Sequence, residues 1–282
     1  MTRRILVAAV AVGLAACGGS SSDGSNAAAS KVFTYGGGVS ADSTQMSAVQ
    51  PQVTEALALK SSPDASTAQN LADFSGVTSA LLGSSGVGYL QSSSSPQQRA
   101  VALARAASGQ LVSSGSNPFD DASCATTTTT SVKMANCTIT FSESGFSGTA
   151  VVNGSFVVAS AGSVTWDLAI QVNVSGSGFS GSGRYQQSGN LTVTADTVKG
   201  QMLAEIAVSA SGNGQSASLD VAESLDMDLT YQSDPSCVTG GTLEAKRVWK
   251  TRPSGSTATD LPDRGAKVTW TGCGQGTIAF ST

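Results

Sequence analysis

Val164-Thr-Trp-Asp-Leu-Ala-Ile-Gln-Val-Asn-Val174 places an apolar residue at every second position. Val164, Trp166, Leu168, Ile170, Val172 and Val174 fall on one side of an extended chain, with Thr165, Asp167, Gln171 and Asn173 on the other. A period of two predicts a strand with one buried and one wet face. Similar stretches occur at 132–141, 149–159, 183–195, 200–210, 217–231, 241–251, 266–271 and 276–281. Ser160-Ala-Gly162, Ser175-Gly-Ser-Gly178 and Gly212-Asn-Gly214 supply turns between them. Short turns between closely spaced strands predict an antiparallel meander, which over so many strands must curl or close.

Upstream the period changes. Ser43 to Lys60 carries Met46, Val49, Val53, Leu57 and Leu59 at near-helical spacing, with Pro51 expected to shorten or kink the helix. Asp64 can cap a second helix bearing Leu71, Phe74, Val77, Thr78, Leu81 and Leu82. Ser95-Pro96 starts a third, with Val101, Ala104, Ser108 and Leu111 on one face. Residues 113–130, ending in Thr126 to Thr130, form a linker into the strands. The expected fold is α+β: N-terminal helices pack on a large, curved, mostly antiparallel β-meander, an open sheet or partial barrel. The helices need that sheet because their apolar stripes need a partner surface.

The chain begins Met1-Thr-Arg-Arg-Ile-Leu-Val-Ala-Ala-Val-Ala-Val-Gly-Leu-Ala-Ala-Cys17. Two arginines, a nine-residue apolar core and small residues together predict a cleaved secretory signal over 1–16. The apolar core is too short to span a bilayer, which takes about 20 residues. Leu14-Ala15-Ala16-Cys17 closely resembles the lipobox of bacterial lipoproteins. That resemblance implies cleavage before Cys17 and lipid attachment to its sulfur, with the membrane as a partner through that anchor. Gly18 stands where aspartate would act as the inner-membrane retention signal, so the implied address is the cell envelope, at the outer membrane of a Gram-negative bacterium. Residues 17–31 then form a lipidated cysteine and a flexible tether of small polar residues. The division continues with a helical region and linker over 32–123 and the β region over 124–282, the two expected to form one globular unit.

Loss of residues 1–16 removes two of fifteen basic residues and none of the nineteen acids, leaving a net charge of −6. Such a chain, with no basic run, is not expected to bind nucleic acid, which needs cations to neutralise phosphates.

Four cysteines remain after Cys17, an even number that suggests two disulfides in an exported chain. Strand 217–231 runs toward Cys237, strand 241–251 runs back, the loop with Pro253 and Pro262 crosses, and strand 266–271 returns toward Cys273. Cys237–Cys273 therefore fall at one edge of the sheet. Cys124–Cys137 would close a small loop at the helix-to-sheet junction. The chain contains no histidine and no Cys-x-x-Cys, so no metal site or cofactor is expected.

The missing histidine also removes Ser-His-Asp and Cys-His chemistry. Asp220, Glu223, Asp226 and Asp228 invite a cation or glycosidase reading. Alternation favours a plainer one: Leu225, Met227, Leu229 and Tyr231 point inward, and Asp226 and Asp228 outward. A symmetric hairpin would set Asp228 near Lys246, with Lys250 further along, as a cross-strand charge ladder. Arg247 shares the inward face with Leu243 and Trp249, which calls for a place at the rim or an acidic partner. Trp166, Arg247, Trp249 and Trp270 are the candidate ligand-facing residues, although three inward tryptophans also suit a plain core. Asn136, Asn153, Asn173 and Asn190 head Asn-x-Ser/Thr sequences and read as polar strand positions. No catalytic residue is assigned.

The expected function is a non-enzymatic, lipid-anchored envelope protein with a structural or binding role and a protein or hydrophobic small-molecule partner. A second reading is a carrier of lipid or another hydrophobic ligand, since a curved sheet with helices resembles periplasmic lipoprotein carriers in outline. A third is a carboxylate-dependent glycan hydrolase, which would need two acids facing each other in a cleft.

Overall fold

A computed structural model describes residues 26–61, 64, 71–83 and 117–282, apart from 144, 160–161, 177, 213, 233–236 and 254–256. The expected secretory signal and Cys17 lie outside the described residues, as does the expected helix after Ser95-Pro96.

The described chain is an α+β protein built on one open sheet. Its helices are α1 (Ala27–Ser30), α2 (Ser43–Ser47), α3 (Gln50–Ser61) and α4 (Ser75–Leu82). Its strands are β1 (Val39–Ser40), β2 (Ala125–Thr127), β3 (Ser131–Glu143), β4 (Phe146–Ala159), β5 (Ser163–Gly176), β6 (Phe179–Val193), β7 (Thr197–Gly212), β8 (Gln215–Tyr231), β9 (Val238–Thr251), β10 (Arg264–Gly272) and β11 (Gln275–Phe280). The sheet order is β1-β11-β10-β9-β8-β7-β6-β5-β4-β3-β2, an antiparallel meander with one added strand at the β11 edge. Two- and three-residue strands occupy the two edges, which leaves little backbone for a second chain to pair with.

The alternation read from Val164 to Val174 holds: the six apolar residues are buried, and Thr165, Asp167, Gln171 and Asn173 are exposed. Register carries that face across the sheet, from Ile170 to Tyr185, Ile206, Val221 and Trp249 in successive strands. Helices α2 to α4 cover it. Met46, Val53, Ala56, Val77 and Leu81 join the same buried cluster, and the Gln187 side-chain amide donates to the Ala72 carbonyl. Asp42 caps α2 through a capping box with Gln45. Pro51 sits in the first turn of α3, where its missing N–H costs no helical bond. The helix expected from Asp64 is interrupted at Asp73–Phe74. Asp73 accepts from the Ser75 amide at 3.2 Å, so a fresh helix starts there.

Three further expectations are corrected. The tether does not extend to residue 31: the Asn26 side chain accepts from the Ala28 and Ala29 amides, α1 forms, and Ala28 is fully buried. Asn26 Nδ2 also donates to the Ala204 carbonyl at 3.0 Å. Small side chains that could bury little area alone thus dock on the sheet. Next, the threonine linker contributes β2, which pairs Ala125 to Met134. Last, β9 starts at Val238, three residues earlier than expected, so the β8–β9 register differs. Asp228 faces Thr242, and Lys246 faces Ser224. Asp228 takes its cation from the other side, Lys199 at 3.0 Å.

The segment after α1 crosses the face of the sheet opposite the helices. Lys31 reaches Asp263 at 3.7 Å, and the Tyr35 hydroxyl donates to Glu244. The chain then turns round the edge as β1, pairing Val39 with Ile278, and enters α2 on the other face, where Met46 packs at Gly276. The N-terminal region therefore clasps the sheet from both sides.

Both disulfides have the expected pairing. Cys124–Cys137 and Cys237–Cys273 have Cα separations of 5.1 and 5.4 Å.

Candidate functional site

The four candidate ligand-facing residues lie in the core. Trp166, Trp249 and Trp270 are 3, 6 and 4% exposed. They are not brought together. Trp249 lies opposite Val221, whereas Trp270 lies opposite Gly241, eight residues along β9 and about 26 Å away at strand rise. Trp166 stacks over Gly189 on β6, where a side chain would collide with the ring. Arg247 has the acidic partner its position called for: its Nε lies 2.7 Å from Glu223 Oε1, and both side chains are buried. Thr78 Oγ1 donates to Glu223 Oε2 at 3.3 Å, and the Arg247 guanidinium donates to the Gly83 carbonyl. This pair fixes α4 to the sheet.

An open groove lies on the face opposite α2, α3 and α4, at the hairpin end of β5 to β8. One part, about 390 Å³, is lined by Gln171, Arg184, Ala207, Asp220 and Thr251 among others. A second part, about 540 Å³, continues from it through the shared residues Asn173, Ser182, Ser209 and Ser218. Six serines form its floor: Ser180 and Ser182, Ser209 and Ser211, Ser216 and Ser218. They face one another across strands, Ser182 to Ser209 at 2.9 Å and Ser180 to Ser211 at 3.2 Å. Each hydroxyl both donates and accepts, so the floor can follow a polar ligand's own pattern.

A charged cluster closes one end. Glu205 is 7% exposed and is held by Arg184 on one oxygen and by Lys250 at 2.6 Å on the other. Asp220 lies diagonally across from it on β8, because Ala207 faces Asp220 while Glu205 faces Ala222. Asp220 Oδ1 is buried with no hydrogen-bond partner among the described residues. Burial, and then the negative charge of Glu205, push the Asp220 carboxyl above the usual range, against the opposing pull of Lys250 and Arg184. Two carboxyls thus share one end of the groove: Glu205 between two cations, and Asp220 half-buried on the neighbouring strand.

Of the four acids singled out in sequence, only Asp220 lines this groove. Glu223 faces the helices, Asp226 accepts from Gln201 at 2.6 Å, and Asp228 is exposed. Arg184 and Glu205 were not legible, and Lys250 was read only as part of a charge ladder with Asp228, because they come from three strands whose register no local pattern encodes. The serines carried a signal, Ser-x-Ser on β6, β7 and β8, but in one strand at a time it reads only as the wet phase. No group of metal-ligating side chains occurs among the described residues. No protein-family model, curated protein or solved structure matches this chain.

Proposed function

We propose that this protein is a non-enzymatic, lipid-anchored cell-envelope protein of the outer membrane, and that it binds an uncharged, hydroxyl-rich ligand such as an oligosaccharide. The serine-lined groove carries the reading. Its six hydroxyls, flanked by Asn173 and Gln171, match a ligand rich in hydroxyls better than a lipid chain. The anchor reading rests on the lipobox resemblance. The test is a nuclear magnetic resonance titration of the mature chain with N-acetylglucosamine oligomers. Shifts confined to 171–184 and 205–220, lost in Ser182→Leu, are expected. A lipid that copurifies and dissociates in native mass spectrometry, with no saccharide response, would replace this reading by the carrier.

The second reading is a carboxylate-dependent glycan hydrolase. The observation favouring it is the Glu205–Asp220 pair on neighbouring strands, one acid held between cations and the other shifted upward by burial. Hydrolysis of a chromogenic glycoside, abolished by Asp220→Asn, would establish it. Binding without turnover keeps the first reading.

A further inference from the structure

We infer that the groove faces the bilayer that carries the lipid anchor, and that the ligand it holds is the saccharide-bearing headgroup layer of that membrane. This rests on the anchored reading above. Asn26 is fixed to the Ala204 carbonyl, so the described chain begins beside Glu205, at the charged rim of the groove. Nine Cα steps separate Cys17 from Asn26, a reach of at most about 32 Å.

Ala204 is on β7, the middle strand of the order, five inter-strand steps or about 24 Å from either edge. A lipid at Cys17 that reached an edge would have about 8 Å of chain left, less than the roughly 10 Å thickness of a helix layer, so it does not carry the bilayer round to the face covered by α2, α3 and α4. The N-terminal clasp keeps this geometry fixed. Ala28 is fully buried, Lys31 and Tyr35 pair with Asp263 and Glu244, and β1 is stitched to β11.

Charge agrees. The mature chain carries −6, so most of its surface is repelled by an anionic bilayer. Arg184 and Lys250 stand at the groove's rim against Glu205 and Asp220, so this end is less negative than the molecule as a whole. The shared chemistry is the uncharged saccharide; the membrane location selects a glycolipid headgroup over a free glycan chain.

The experiment uses the full chain, exported with its own leader and kept in isolated membranes. Benzoylphenylalanine replaces Ser182 or Ser218 in the groove, or Thr54, exposed on α3 at the opposite face. Illumination and mass spectrometry then count glycolipid adducts. Adducts at Ser182 and Ser218 and few at Thr54 are expected. Inserting twenty Gly/Ser residues after Gly24 should lower the groove's yield about fivefold, as a longer linker dilutes the local concentration. Equal yields at Ser182 and Thr54, or a groove yield indifferent to the insertion, would overturn the inference. The mass of the N-terminal peptide separates the two readings. A bare Cys17 overturns the anchored reading and this one with it; a lipidated Cys17 with no preference between faces overturns this one alone.

Discussion

Glu223 and Arg247 face each other directly across β8 and β9, 2.7 Å apart and buried under α4. Their oxygens and nitrogens also reach Thr78 and Gly83, so this charged contact in an apolar layer holds the helix at a fixed position. Removing one partner leaves a buried charge unpaired. Glu223→Ala should lose about 3–5 kcal/mol in chemical denaturation. Glu223→Leu combined with Arg247→Met should recover most of that loss. Equal losses in the single and double variants would mean that packing volume, rather than charge, dominates at this position.

The two disulfides should differ in worth. Cys237–Cys273 spans 36 residues and Cys124–Cys137 spans 13. Restriction of the unfolded chain gives about 4 kcal/mol for the longer loop and about 3 for the shorter. Paired Cys→Ala variants, measured by urea unfolding, should rank in that order.

Asp220 should make stability fall with rising pH. Its folded carboxyl holds the proton more tightly than the unfolded chain does, so its contribution is complete below about pH 4 and is lost as pH rises through the folded value. Asp220→Asn cannot ionise. The variant should therefore melt higher than the parent at pH 7, with the difference closing toward pH 3. A constant difference across that range would show that Asp220 titrates normally.

Trp166 and Gly189 form a directly opposed pair in which the ring lies over the glycine. Such a glycine provides the space the indole fills. Gly189→Ala would press on the ring and on the Gln201 carbonyl. A loss of about 1–3 kcal/mol is expected, with a red shift of tryptophan emission as the ring is displaced.

Asn26 both caps α1 and donates to Ala204. Asn26→Ala should cost about 1 kcal/mol. Hydrogen exchange should quicken in residues 27–35 before it does in β7 or β8, because the clasp can open without breaking the sheet.

Local pattern determined the strands. A period of two is set by the pleat itself, so nine strands, their turns and the buried face could be read from single stretches such as Val164 to Val174. The order along the meander also fixed both cysteine pairings, since each turn reverses direction and places Cys237 and Cys273 at one edge. The sequence also settled that Asp226 and Asp228 point away from Leu225 and Met227. Tertiary structure alone decided what depends on register and on distant docking. A hairpin beginning three residues early moved Asp228 from Lys246 to Lys199. Small residues at 26–30, with no apolar stripe of their own, became a helix only because the sheet offered them a surface. The groove needed Arg184, Glu205, Asp220 and Lys250 from four strands, and no short-range pattern encodes which of their positions lie side by side.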